Sequence, residues 1–126
     1  MSLTIWTQWD DIKVPAGFEK LSPINFPLET SDLSKINFYV PTYMSGKTGL
    51  EFTHQMTNLK YLQMPNAGYE DALPYAREGV TLCNARGVHD ASTAELAVGL
   101  AIAARRGFSD FAVAQQRGEW AHRRYQ

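Results

Sequence analysis

The residues best placed to do chemistry lie together in Pro65-Asn66-Ala67-Gly68-Tyr69, directly after the apolar run Leu59-Lys60-Tyr61-Leu62-Gln63-Met64. The run reads as a buried strand bounded by turn formers. Pro65 removes a backbone donor and ends ladder pairing, and Gly68 supplies the conformational freedom of a tight loop. Such a loop, with a glycine beside a small alanine, can turn bare N–H groups toward an anion, and donor-rich concavities of this kind hold carboxylates or phosphates. The same residues also make an ordinary turn, so the loop taken alone leaves both readings open.

Other chemistries find less support. His54, His89 and His122 are far apart, accompanied by one cysteine and by no helical histidine pair at ligand spacing, so no metal site is expected. Cys83 closes the apolar run Val80-Thr81-Leu82-Cys83 and reads as a buried structural thiol; a single cysteine excludes an internal disulfide and suits a reducing compartment. No glycine-flanked nucleophile elbow is present. Asp10-Asp11, after the first strand, has the look of the acidic pocket of a phospho-receiver domain. That pocket needs a further aspartate after the third strand, where this chain has Val40-Pro41-Thr42-Tyr43. There is no G-x-G-x-x-G, and Gly46 and Gly49 lack the strand-turn-helix context of a dinucleotide fingerprint.

The elements that must position the loop follow from alternation and stop signals. Leu3–Trp6, Phe18–Leu21, Ile36–Val40, Leu59–Met64 and Val80–Cys83 read as strands, Pro41 ending the third. Thr48–Met56 has helical spacing at Leu50, Phe52 and Met56, with Thr48 as cap. Glu70–Glu78 reads as a helix with Leu73 and Tyr75-Ala76 inward despite Pro74, closed by Gly79. Strands separated by helical stretches predict an α/β fold, a mainly parallel sheet with helices on both faces. Ligands gather at the carboxyl ends of such strands, which places the Met44, Asn66 and Asn84 loops on one functional edge.

From residue 91 the character changes, giving a body over 1–90 and long helices over 91–126. A helix runs from Thr93 to Arg106 or beyond, capped by Asp90 or Ser92 and with Glu95 in its first turn. Its stretch Leu96–Ala104 is apolar nearly all round and is expected to be buried on every side. The residues after it are amphipathic and basic and too few to cover it, so the chain is expected to be the front part of something longer.

Bulk properties agree with a soluble globular chain. It has 126 residues, 44% hydrophobic and 20% charged, with a net charge of −1. Neither disorder nor a basic nucleic-acid-binding surface is implied. Arg105, Arg106, Arg117, Arg123 and Arg124 outnumber Asp110 and Glu119 at the end, leaving the body acidic. The apolar run falls short of the ~20 residues of a membrane span, and no secretory signal opens the chain. A cytoplasmic location is expected, with neither nucleic acid nor membrane as partner.

Three pieces in order carry a resemblance. They are Leu59-Lys60-Tyr61-Leu62-Gln63-Met64-Pro65-Asn66-Ala67-Gly68-Tyr69-Glu70, then Glu78-Gly79-Val80-Thr81-Leu82-Cys83-Asn84-Ala85-Arg86-Gly87, then Ser92-Thr93-Ala94-Glu95-Leu96-Ala97 running into Ala104-Arg105-Arg106. Arg117-Gly118-Glu119-Trp120 follows, at the spacing of an arm toward another domain. Together, over about half the chain, they resemble the D-isomer-specific 2-hydroxyacid dehydrogenases, which include glycerate, lactate, formate and phosphite dehydrogenases. The first 58 residues match only in pattern.

The resemblance implies an NAD- or NADP-dependent oxidoreductase that moves a hydride between nicotinamide and a D-2-hydroxy acid or its 2-keto acid, working as a homodimer. It implies that backbone N–H groups of Asn66, Ala67, Gly68 and Tyr69 bind the substrate carboxylate. Thr93 would reach cofactor or substrate by its hydroxyl, or serve only as a helix-start residue. Tyr43 or Met44 would shape the pocket, or be no more than core or rim. The family's catalytic histidine, glutamate and arginine, and its glycine fingerprint, fall beyond the point matching Gln126, so no catalytic residue is assigned here. Glu95 and His122 match no catalytic position. The resemblance implies a flavodoxin-like substrate domain over 1–90 followed by interdomain helices over 91–126, a piece expected to be inactive alone and prone to dimerise or exchange its last helices. The alternative is a stand-alone α/β module that binds or senses a small carboxylate.

Overall fold

One row of paired side chains explains the sheet. Leu21, Trp6, Tyr39, Leu62 and Leu82 stand side by side across five neighbouring strands. The first four are buried and Leu82 packs against them. In the computed structural model, which describes residues 3–122, these strands are β1 (Leu3–Thr7), β2 (Phe18–Leu21), β3 (Phe38–Val40), β4 (Tyr61–Gln63) and β5 (Thr81–Cys83). All pairings are parallel and the order is β2-β1-β3-β4-β5, the flavodoxin-like arrangement. The fold is α/β, as the alternation of strands and helical stretches predicts.

Successive strand residues face opposite ways, so the next row is Lys20, Ile5, Phe38, Tyr61 and Thr81. It is half-buried to exposed. The core therefore lies on the Trp6 side, where Leu28, Leu33, Ile36, Leu50, Met56 and Ala72 join the cluster. Trp6 and Tyr39 stack tilted with ring centres 5.4 Å apart, and the Trp6 indole N–H donates to the Phe26 carbonyl at 2.9 Å.

Three strands are shorter than expected, β5 by Val80 alone. β3 starts at Phe38: Ile36 N–H closes the preceding 3₁₀ turn on Leu33 O at 3.1 Å, and Asn37 ties the strand start to its neighbours. The Asn37 backbone N–H donates to Thr4 O, its Oδ1 accepts from Thr4 N–H at 3.1 Å and its Nδ2 donates to Asn58 O at 3.1 Å. β4 keeps backbone bonds at its flanks: Lys60 N–H donates to Asn37 O, Lys60 O accepts from Thr81 N–H, and Met64 N–H donates to Cys83 O, each at 2.8 Å.

The helices between strands are also shorter. α1 covers Gly46–Glu51 and passes into a 3₁₀ turn at Phe52–Gln55. Thr48 does not cap it; its hydroxyl lies within the helix and donates to Ser45 O at 2.6 Å, while the Thr53 hydroxyl donates to Leu50 O at 2.7 Å. Such hydroxyl-to-carbonyl bonds compete with the α ladder. Glu70–Tyr75 is a 3₁₀ helix ending before Ala76, because Pro74 brings no N–H. Ala72 is its buried residue, and Leu73 is exposed rather than inward. Cys83 is half-buried, not enclosed.

The chain divides into two units, residues 1–88 and 89–126. In the second, α2 (Asp90–Arg106) begins three residues earlier than expected and has no side-chain cap. Ser92 is a donor to His89 O, not a cap, and Glu95 falls beyond the first turn, which holds Asp90. Gly107, at φ 62°, ends α2 and starts α3 (Phe108–Gln116). No residue of α2 is buried, contrary to its apolar sequence; Leu96, Val98, Leu100 and Ile102 each leave at least half their surface open. Among the described residues no helix is long and apolar enough to cross a membrane.

Candidate functional site

At the carboxyl end of β4 the chain turns through Pro65–Tyr69, and two bonds from the segment after β5 fix it. The Asn84 side-chain amide donates to Ala67 O at 2.8 Å, and Ala85 N–H donates to Asn66 O at 3.0 Å. With its carbonyls held outward to β5, the loop has donors to spare. The N–H groups of Asn66, Ala67 and Gly68 donate to no acceptor among the described residues. That of Tyr69 donates to Oε2 of Glu70 at 2.9 Å.

Gly68 corrects one expectation. Its backbone is not left-handed, unlike Gly46 and Gly79, so conformational freedom is not what it provides. A Cβ there would lie 3.4 Å from Glu70 Oε2 and 3.6 Å from Asn66 Nδ2. Glycine leaves the surface open between the Glu70 carboxylate and the Asn66 side-chain amide.

Asn66 and Gly68 border a cavity of about 300 Å³ between the loops that follow β3 and β4. Its lining combines apolar residues, Pro41, Met44, Leu50, Met64 and Pro65, with the hydroxyl-bearing Thr42 and Ser45 and the acids Glu70 and Asp71. Among the described residues no lysine, arginine or histidine lines it. Met44 is the one non-glycine among the described residues with left-handed backbone, φ 61°, and it is 79% exposed. Strain of this kind persists only where the surroundings impose it, and it clusters at ligand sites. Gly49 makes room for the side chain of Ser45, the N-cap of α1: a Cβ there would meet Ser45 Oγ at 2.0 Å and Ser45 Cβ at 2.9 Å.

The expected site residues are thus partly gathered. Asn66 and Gly68 line the cavity, and Ala67 lies between them in the same loop. Tyr69 borders a neighbouring cavity of about 230 Å³ with Leu82, Cys83 and Asn84. Tyr43 is 43% exposed, and it is its neighbours Thr42 and Met44 that line the larger space. Thr93 belongs to the other unit, an exposed residue in the first turns of α2 whose N–H donates to His89 O at 2.9 Å. The sequence reading gave Glu70 and Asp71 no part, although both follow the loop directly.

In sheets of this order the strand order reverses between β1 and β3, whereas the cavity lies one strand over, between β3 and β4. Asp10 and Asp11 are exposed in the loop after β1 and do not line it. Among the described residues no cluster of three His, Cys, Asp or Glu side chains is placed to hold a metal ion. The G-x-G-x-x-G motif is absent from the sequence. What the arrangement can do is hold a carboxylate by backbone amides beside a small, partly apolar space. No protein-family model matches the chain, and no curated protein matches it.

Proposed function

We propose that this chain is the substrate-binding part of an NAD- or NADP-dependent oxidoreductase that transfers a hydride between nicotinamide and a D-2-hydroxy acid or its 2-keto acid. One observation carries the reading. The loop after β4 presents three unengaged amides, and the fourth, on Tyr69, already holds a carboxylate. The ordered resemblance of Leu59–Glu70, Glu78–Gly87 and Ser92–Arg106 to the D-isomer-specific 2-hydroxyacid dehydrogenases supports the substrate class.

In this reading Asn66, Ala67, Gly68 and Tyr69 bind the acid, Met44 and Tyr43 shape its surroundings, and Thr93 reaches the nicotinamide or the substrate. The chain's own part is binding and orientation. No acid–base pair with a cation beside it lines the cavity, and residues outside the chain would supply the chemistry. The open apolar surface of α2 fits an intact enzyme in which further protein, as in a homodimer, covers it. The lack of a cation in the cavity also favours a second reading, a carboxylate-binding module without catalysis.

Glyoxylate titrated against the isotope-labelled chain tests the binding. Shifts concentrated in the amides of Asn66–Tyr69 are expected; their absence at tens of millimolar would sink the reading. The same sample is expected to show no oxidation of NADH or NADPH with any 2-keto acid. The gene sequence past Gln126 separates the two readings: a G-x-G-x-x-G some 20–30 residues on favours the enzyme, and a stop codon favours the module.

A further inference from the structure

We infer that the cavity beside the Asn66–Tyr69 loop selects a monocarboxylate with a short, uncharged, apolar side chain and turns away dicarboxylates. The inference rests on the carboxylate reading above and adds which acid is taken.

The walls differ in kind. A ligand carboxylate anchored at Asn66 and Gly68 places the rest of the molecule in a space of about 300 Å³, the small end of the range for ligand pockets. There it meets an apolar surface of Met44, Leu50 and Met64. Leu50 and Met64 are buried members of the core and so form a fixed surface, while Met44 is an exposed thioether held in place by a strained backbone. Removing apolar ligand surface from water against this surface is favourable, and methionine adapts its shape to branched groups.

Glu70 and Asp71 line the same space, with no cation among the described residues to offset them. The first carboxylate of a ligand takes the loop amides. A second meets two acids, with only neutral donors, the remaining amides and the hydroxyls of Thr42 and Ser45, to set against them. At a partly solvated surface this is expected to disfavour a dicarboxylate on the order of tenfold. Thr42 and Ser45 can receive a single hydroxyl, but most of the lining is carbon, so the preference is for an apolar side chain.

Three sodium salts at constant ionic strength test this on the full chain, read by the Asn66–Tyr69 amide signals: glyoxylate, ketoisocaproate and α-ketoglutarate. Ketoisocaproate is expected to bind about fivefold or more tighter than either of the others. Met44→Ala should shrink its advantage over glyoxylate to about twofold or less. The double variant Glu70→Gln, Asp71→Asn should improve α-ketoglutarate relative to ketoisocaproate by about tenfold. Equal affinities for all three, or α-ketoglutarate binding tightest to the wild type, would overturn the inference while leaving the carboxylate reading intact. If none of the three moves these amides, the carboxylate reading fails and the selectivity with it.

Discussion

The carboxylate of Glu70 accepts a hydrogen bond from the backbone N–H of Tyr69, its immediate neighbour, at 2.9 Å. This places an acid of the protein itself on the loop proposed to take the acid of the substrate. Binding then becomes an exchange of one carboxylate for another, and the charge of Glu70 opposes the incoming anion. Glu70→Gln keeps an acceptor of the same shape and removes the charge. Because the residue is exposed, the effect is worth less than about 1 kcal/mol, so glyoxylate should bind up to about fivefold tighter in the titration. Weaker or unchanged binding would mean that Glu70 only closes the start of the 3₁₀ helix.

Gly68→Ala separates fold from function. The backbone at 68 is not left-handed, and the nearest atoms to an added Cβ are 3.4 and 3.6 Å away, ordinary contacts. Stability should therefore change by no more than about 0.5 kcal/mol in urea unfolding. The methyl group, however, stands where a carboxylate approaches the loop, and glyoxylate binding should weaken about threefold or more. A large loss of stability would return the glycine to a purely conformational role.

β3, β4 and β5 were legible in the sequence because each ends an apolar run at Pro41, Pro65 or Asn84, and β1 by its alternation; parallel order followed from the helical spacing between strands. The helices were less so. Thr48, Thr53 and Pro74 looked compatible with helical periodicity, yet their hydroxyls and missing N–H tighten or shorten the turns. At the site, Asn66 and Gly68 were visible as a loop after a strand. Glu70 was hidden because its part depends on a contact between neighbours that no spacing rule encodes. Met44 was named as a pocket residue from its place after β3, but its left-handed backbone gives no signal in a side chain that rarely adopts it.

That backbone yields a stability prediction. A left-handed conformation costs a non-glycine residue about 1–2 kcal/mol, and glycine gives back about 0.5–1 kcal/mol through its freer unfolded state. Met44 is largely exposed, so little buried surface is lost with its side chain. Met44→Gly should stabilise the chain by about 0.5–1 kcal/mol, a rise of a few degrees in Tm. Met44→Ala, which keeps the strain, should leave Tm nearly unchanged. Equal gains from both variants would show that the strain is not what glycine relieves.

Tyr39 supplies a pH dependence whose sign can be worked out. It is fully buried, and its hydroxyl donates to Gly49 O at 2.7 Å. Burial pushes its ionisation far above the ordinary value of 10.0, and the negative charge of Glu29 adds to the shift. The native phenol therefore keeps its proton where the unfolded one loses it. Above about pH 10 the unfolded state binds fewer protons, so this residue's contribution is complete below that pH and falls by about 1.4 kcal/mol per pH unit beyond it. Tyr39→Phe leaves the buried Gly49 carbonyl without its donor and should cost about 1–2 kcal/mol at neutral pH. It also removes the titration, so the gap between wild type and variant should stay constant from about pH 7 to 9 and narrow by about pH 11. Urea unfolding at the three pH values measures this. A gap that does not close would mean that the phenol ionises as readily in the native chain as in the unfolded one.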